Sequence, residues 1–203
     1  MRTLRNALAT GQVAHAYLFS GPRGTGKTTT ARILARALNC ANLTEGEPCN
    51  QCAACKAILN GSALDLIEMD AASHTGVDNM RDILDGVRYA PVEARYKMYI
   101  IDEVHMLSAS AFNAFLKTLE EPPPYAIFIL ATTEKHKVIP TILSRCQIFD
   151  FNRMQISDIA NHLKKIAKHE GIPAEDEALH LISQKADGAL RDALSIFDLM
   201  VTY

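Results

Sequence analysis

No apolar run in the sequence approaches the roughly 20 residues that a membrane-spanning helix needs. The N-terminus, Met1-Arg2-Thr3-Leu4-Arg5-Asn6-Ala7-Leu8, also lacks the apolar stretch of a secretory signal. A cytoplasmic location is therefore expected. Thiols stay reduced there, so the five cysteines need an explanation other than disulfides. An excess of positive charge is missing too: 21 Lys and Arg stand against 23 Asp and Glu, a formal net charge of −2. A strongly basic nucleic-acid binder is excluded, and any DNA contact must come from local patches or from partners. Internal repeats and low-complexity tracts are absent as well. What remains is ordinary globular composition, 48% hydrophobic and 22% charged over 203 residues. That length suits one domain, or one domain with a small appendage.

Short apolar runs read as strands at Ala16–Ser20, Ala63–Asp70, Lys97–Asp102, Ala126–Thr132 and Gln147–Phe151. Helical spacing separates them. Thr28–Leu38 aligns Ile33, Leu34, Ala37 and Leu38; Val77–Tyr89 aligns Met80, Ile83, Leu84 and Val87; Ala109–Glu121 aligns Phe112, Phe115, Leu116 and Leu119. Pro122-Pro123-Pro124 stops the last of these. Strands alternating with helices predict an α/β fold with a parallel sheet covered on both faces. After Phe151 the strand signals end. Ser157 reads as the N-cap of a helix over Asp158–Glu170 closed by Gly171, followed by helices at Glu175–Ala186 and from Leu190 onward. The expected division is a core over 1–151 and a small helical lid over 152–203.

Gly21-Pro22-Arg23-Gly24-Thr25-Gly26-Lys27-Thr28, followed by Thr29, satisfies G-x-x-x-x-G-K-[ST] at every fixed position. It follows a predicted strand and opens a predicted helix, the context in which backbone N–H groups and the helix N-terminus cradle phosphates. Lys27 is placed to reach the β- and γ-phosphates of ATP, and the Thr28 hydroxyl to ligate Mg²⁺. The strand Lys97-Met98-Tyr99-Ile100-Ile101 ends in Asp102-Glu103, a carboxylate pair where parallel sheets present ligands. Asp102 suits the Mg²⁺ shell, and Glu103 suits polarising the attacking water. His105 completes Asp102-Glu103-Val104-His105, which also fits a helicase box, but such enzymes need a second motor domain that this length does not hold. His105 is read as a structural residue.

Cys40, Cys49, Cys52 and Cys55 form C-x₈-C-x₂-C-x₂-C in an inserted, loop-like segment at about 40–62. Four thiolates so close suit a closed tetrahedral Zn²⁺ shell with a structural role. Two disulfides and a redox pair are the alternatives; a reducing compartment disfavours the first, and nothing thioredoxin-like surrounds the second. Cys146 stands apart and is expected to pack as a small hydrophobe.

Later segments resemble the clamp-loader branch of the AAA+ ATPases. Leu130-Ala131-Thr132-Thr133-Glu134 looks like its sensor 1, with Thr133 favoured over Thr132. Ser144-Arg145-Cys146 resembles the motif whose arginine serves a neighbouring subunit's ATP. Gly188-Ala189-Leu190-Arg191-Asp192 resembles sensor 2, with Arg191 on the γ-phosphate of its own chain. Asn113–Pro122 is close to the family's sequence after its acidic pair. The zinc module after the phosphate-loop helix is similar to that of the gamma/tau subunits of bacterial DNA polymerase III. The resemblance implies an AAA+ core with strand order 5-1-4-3-2, ATP and Mg²⁺ as ligands, and a structural zinc. It also implies ATP-driven loading of the sliding clamp onto primed DNA. The implied partners are delta, delta-prime and further gamma/tau copies, the clamp and primer–template DNA. Family members begin further upstream and continue into a collar domain, so the chain is expected to be a piece of such a subunit, monomeric without the collar. A delta-prime-like scaffold that does not hydrolyse ATP is opposed by the intact Gly26-Lys27-Thr28. A small-molecule P-loop kinase would not need Ser144-Arg145-Cys146. Lys164, Lys165 and Lys168 form a basic stripe read as a solvated helix face.

Overall fold

A computed structural model describes residues 2–73 and 77–202; the side chains of Arg2, Val77, Asp78 and Asn79 fall outside that description, as do Met1 and Tyr203. In chain order the elements are α1 (Arg2–Thr10), β1 (Ala16–Ser20), α2 (Lys27–Leu38), α3 (Ala53–Leu59), β2 (Leu66–Asp70), α4 (Val77–Val87) and β3 (Lys97–Asp102). There follow α5 (Ala109–Glu120), β4 (Ala126–Thr132), α6 (Pro140–Leu143), β5 (Gln147–Asp150), α7 (Ile156–Glu170), α8 (Asp176–Lys185) and α9 (Leu190–Thr202). No described helix is long and apolar enough to cross a membrane. The chain divides into two compact units: Met1–Ser20 with Thr28–Phe149, and Gly21–Lys27 with Asp150–Tyr203.

The first unit holds a five-stranded sheet in the order β2-β3-β4-β1-β5. This is the expected order read from the opposite edge. The pairings β2–β3, β3–β4 and β1–β4 are parallel. Strand alternation sends Leu18, Tyr99, Ile101, Phe128 and Leu130 into one core with Met80 and Val87 of α4 and Phe112, Phe115 and Leu119 of α5. Tyr99 stacks on Phe128 and Phe115 meets Phe128 edge-on, with ring centroids 5.2 and 5.1 Å apart. Tyr17, Phe19, Met98, Ile100, Ile127 and Ile129 point the other way and are buried too, as a sheet covered on both faces requires. The register pairs Ser20 with Thr132 and Asp70 with Asp102, so four strands end together. That common edge is where the sequence motifs emerge.

Several expectations need correction. β2 starts at Leu66, not Ala63, because the buried Asp65 (5% exposed) is a bracket, not a strand residue. Its carboxylate accepts backbone N–H bonds from Val92, Glu93 and Ala94 at 2.8, 2.8 and 2.9 Å. Burial pushes the Asp65 pKa up, but the N–H groups of Glu93, Ala94 and Val92 outweigh it and hold the carboxyl below its usual range. A depressed folded-state pKa contributes stability above the unfolded value of about 3.9, and that stability is lost as pH falls through the folded value. Asp65→Asn is expected to cost about 2 kcal/mol at pH 7. In urea denaturation, the gap to the parent should narrow as the medium is acidified below about pH 4.

The segment read as loop-like contains α3, whose run Ala53-Ala54-Cys55-Lys56-Ala57 carries good helix formers in a stretch too short for a periodic pattern. α1 and the single-turn α6 were likewise not anticipated. α4 ends at Val87, α5 at Glu120 and β5 at Asp150, each one or two residues early.

In the second unit α7 begins at Ile156 with Gln155 as its N-cap, so Ser157 lies inside the helix and caps nothing. Gly171, at φ 70°, closes it as expected. Ile159, Leu163 and Ala167 of α7, Leu179 and Ile182 of α8, and Ala193 and Phe197 of α9 make this unit's own core. Lys164, Lys165 and Lys168 lie exposed, with Lys164 paired to Asp176 at 2.7 Å.

Candidate nucleotide and metal sites

The phosphate loop belongs to the second unit, with the helical tail. Lys27 is buried (6% exposed), and its ammonium donates to the carbonyls of Gly21 and Pro22 at 2.8 and 2.9 Å. The Thr25 hydroxyl donates to the Pro22 carbonyl at 2.8 Å and tightens the same turn. The glycine pattern has a local reason. A Cβ on Gly21 would stand 2.2 Å from the Phe151 carbonyl oxygen, and one on Gly24 would stand 2.9 Å from the Ala189 Cβ. Leu190 N–H donates to the Gly24 carbonyl at 3.0 Å. The Gly188–Asp192 segment is thereby fastened to the loop. The Arg191 Cβ lies 3.4 Å from where a Gly24 Cβ would be. Thr29, next along α2, is exposed.

The carboxylates belong to the first unit. Thr28 and Asp102, 74 residues apart in sequence, meet there: the Thr28 hydroxyl donates to Asp102 Oδ2 at 2.6 Å. Asp102 Oδ1 accepts the Glu103 N–H at 2.9 Å. Two hard oxygen donors face each other at this point, which suits Mg²⁺. Glu103 sits at φ 47°, a left-handed conformation that costs a non-glycine residue of order 1–3 kcal/mol and clusters at functional sites. Its Oε2 accepts from Thr133 N–H at 3.1 Å and from the Thr133 hydroxyl at 2.9 Å. Thr132 is fully buried and turns the other way: its Oγ1 contacts His105 Nδ1 at 3.0 Å and accepts the Glu134 N–H at 3.0 Å.

Two partnerships near this edge carried no signal in the sequence. His105, read as structural, has a side chain only 6% exposed, yet its Nδ1 lies 3.3 Å from Glu103 Oε2 and its Nε2 3.1 Å from Glu134 Oε2. Glu134 also takes the Lys137 ammonium at 2.7 Å, which holds its carboxyl below the usual range. Arg145 is docked on its own chain, with Nη2 on Glu120 Oε1 at 2.9 Å and Nη1 on the Thr141 carbonyl at 2.7 Å. Glu120 ends α5, and nothing local marks it as a guanidinium partner. Cys146 packs against the main core, and burial pushes its thiol up to about 12, an inert small hydrophobe.

The sulfurs of Cys40, Cys49, Cys52 and Cys55 all lie within 4.8 Å of one another. A ZnS₄ tetrahedron with bonds of about 2.3 Å needs edges of about 3.8 Å, so the cluster is nearly of that size. Backbone N–H groups already aim at the sulfurs. Cys49 N–H donates to Cys40 Sγ at 3.3 Å, and Cys52 and Gln51 N–H donate to Cys49 Sγ at 3.3 and 3.5 Å. The N–H groups of Ala41 and Cys55 pull the Cys52 thiol down to about 6, while burial pushes Cys55 up to about 12. Asn50, at φ 57°, turns the knuckle, and Arg36 of α2 holds its side-chain oxygen at 2.7 Å. The Thr44–Glu47 bridge closes a tight turn against α1, where Arg5 pairs with Glu47. The donor set and the spacing fit structural zinc.

A phosphate loop opening α2, an acidic pair ending β3, a parallel sheet of this order and a three-helix tail define the AAA+ class of nucleotide-binding fold. Solved structures agree on that architecture. The Thermotoga maritima RuvB Holliday junction branch migration motor matches at TM-score 0.68 and 22% identity, over 96% of this chain and 57% of that one. A DNA polymerase III gamma subunit-related protein of the same organism matches at TM-score 0.59 and 22% identity, over 98% and 57%. At such identities the likeness is one of fold. Sequence kinship goes further. Residues 1–155 match the family described as DNA polymerase III, delta subunit, and residues 158–203 match the DNA polymerase III clamp loader subunit, ATPase lid domain. The chain thus belongs to the DNA polymerase III clamp-loader subunit family. Among its relatives, the DNA polymerase III subunit tau of Bacillus subtilis (strain 168) is 57% identical over 202 residues. That match takes in all of this chain and 36% of the relative, so the chain spans about a third of that protein's length.

Proposed function

We propose that this chain is the ATP-binding and hydrolysing motor portion of a gamma/tau-type clamp-loader subunit. Its core would be 1–151 and its lid 152–203, and it would act in the cytoplasm at the replisome. Together with delta, delta-prime and further gamma/tau copies it would load the sliding clamp onto primer–template DNA. The observation that carries the reading is the 2.6 Å bond between Thr28, the last residue of the phosphate loop, and Asp102, the first of the acidic pair. Lys27 and Thr28 are consecutive in the chain, so the loop that would grip phosphate runs directly into the hydroxyl of the oxygen pair suited to a divalent cation.

In this reading Gly21, Pro22, Gly24, Thr25, Gly26, Lys27, Thr28 and Thr29 hold the nucleotide's phosphates. Lys27 gives up its grip on the Gly21 and Pro22 carbonyls for phosphate oxygens. Thr28, with Asp102 behind it, holds Mg²⁺, which when bound neutralises charge on the β- and γ-oxygens. Glu103 orients and deprotonates the attacking water, with Thr133 beside it as the sensor. Arg191 attends the γ-phosphate of its own chain. Arg145 leaves Glu120 to reach the nucleotide of a neighbouring subunit, so the isolated chain hydrolyses slowly. Zinc on Cys40, Cys49, Cys52 and Cys55 holds the insertion in shape and takes no part in the chemistry.

The test is calorimetric titration of the chain and of Lys27→Ala with a non-hydrolysable ATP analogue and Mg²⁺. Losing one charge-assisted bond of about 1.5–3 kcal/mol predicts roughly 10- to 100-fold weaker binding in the variant. Equal affinities would remove the phosphate loop from the reading.

A further inference from the structure

We propose that His105 is a positioning residue for Glu103. Its ring fixes the Glu103 carboxylate against the end of β4 and ties it, through the second nitrogen, to Glu134 on the loop beyond. The inference rests on the reading of Glu103 as the group that activates water.

Glu103 is a poor candidate to hold itself in place. Its side chain is 28% exposed, and a long glutamate loses up to about 2 kcal/mol of rotamer freedom when fixed. Its backbone is left-handed as well, and such a conformation persists only where the surroundings over-determine it. Three groups converge on Oε2: the Thr133 N–H, the Thr133 hydroxyl and His105 Nδ1. Of these, only His105 is itself buried and anchored at its far side. Nε2 faces Glu134, which Lys137 holds in turn, while Nδ1 also meets the buried Thr132 hydroxyl. A residue needed here only to fill space would be apolar, since burying an imidazole costs its hydration unless both nitrogens are engaged. Both have polar partners: Nδ1 hydrogen-bonds the Thr132 hydroxyl at 3.0 Å and stands 3.3 Å from the Glu103 oxygen, and Nε2 stands 3.1 Å from Glu134 Oε2. The chain Lys137–Glu134–His105–Glu103 therefore carries the position of the loop after β4 to the carboxylate at the end of β3.

Two isosteric replacements separate the two nitrogens. In His105→Asn the amide nitrogen takes the place of Nδ1 and keeps the Glu103 contact. In His105→Gln it takes the place of Nε2 and keeps only the Glu134 contact. The experiment uses the full-length protein assembled with its partner subunits and clamp, and measures steady-state ATP hydrolysis, affinity for a non-hydrolysable analogue, and Tm. His105→Gln is expected to lose about ten- to a hundredfold in kcat, the scale of a misplaced catalytic group, with KM and analogue affinity within about twofold of the parent. His105→Asn is expected to keep most of the rate. Glu134→Ala, at a half-exposed site that leaves the core alone, should lose a smaller part. In a Glu103→Gln background, His105→Gln should cost nothing further. Equal losses in the Asn and Gln variants, or additive losses with Glu103→Gln, would overturn the proposal and leave His105 a packing residue. A parent assembly that does not hydrolyse ATP would instead overturn the reading of Glu103 itself.

Discussion

Glu103→Gln is expected to lower ATP hydrolysis by the assembled subunit about 10²- to 10⁴-fold, the usual contribution of a general base, while analogue affinity stays within about threefold. The substitution is nearly isosteric. The amide oxygen can still accept from Thr133 N–H and from its hydroxyl, now at 3.1 and 2.9 Å from Glu103 Oε2, so the local fold should survive. What disappears is the negative charge that, in the proposed reading, draws a proton from water. Asp102 remains on the Thr28 hydroxyl, and the phosphate loop is untouched, so binding and chemistry should separate cleanly. A variant that hydrolyses at the parent's rate would show that Glu103 only caps the end of β4 and that water is activated elsewhere.

Zinc removal should produce the largest loss of stability. Between Cys40 and Leu59 the insertion has only α3, a single Thr44–Glu47 bridge and few buried side chains, Cys55 and Ile58 among them. So small a segment cannot bury enough apolar surface to offset its ordering entropy. Without metal, four sulfurs within 4.8 Å of one another keep just backbone N–H donors and weak thiol–thiol contacts. Removing the ion is expected to cost about 4 kcal/mol, a fraction of the 10–16 kcal/mol of free-standing zinc modules because α2 and β2 still frame the loop. For a chain of this size that lowers Tm by about 8–16 °C. Thermal melts with and without a strong chelator, on samples assayed at one zinc per chain, would measure it, and Cys52→Ser should behave like the chelated parent. A metal-free chain melting at the parent's temperature would reduce the cysteines to ordinary packing residues.

The legibility of the chain varied with the range of the forces involved. Contiguous patterns were readable from the letters. The phosphate loop needs its glycines within eight consecutive residues, and the apolar runs of β1, β3 and β4 announce a sheet buried on both faces. The knuckle of Cys49, Cys52 and Cys55 spells out its own spacing. Short elements were less readable: α3 is too brief for periodicity, and the start of α7 was misplaced because Ser157 looks like a cap while Gln155 takes the position. The partnerships between residues far apart in sequence were the least readable, although the motifs assigned Thr28 and Asp102 to one Mg²⁺ site. Thr28 reaches Asp102 because both stand at the common carboxyl edge of the sheet, set by strand order and register. Glu120 meets Arg145, and His105 sits between Glu103 and Glu134, for the same kind of reason. Composition and spacing along the chain determined which chemical groups this protein carries, since short-range conformational preferences act between near neighbours. Which group faces which was decided only by tertiary structure, because pairwise contacts across strands and loops depend on how residues far apart in sequence are brought into register.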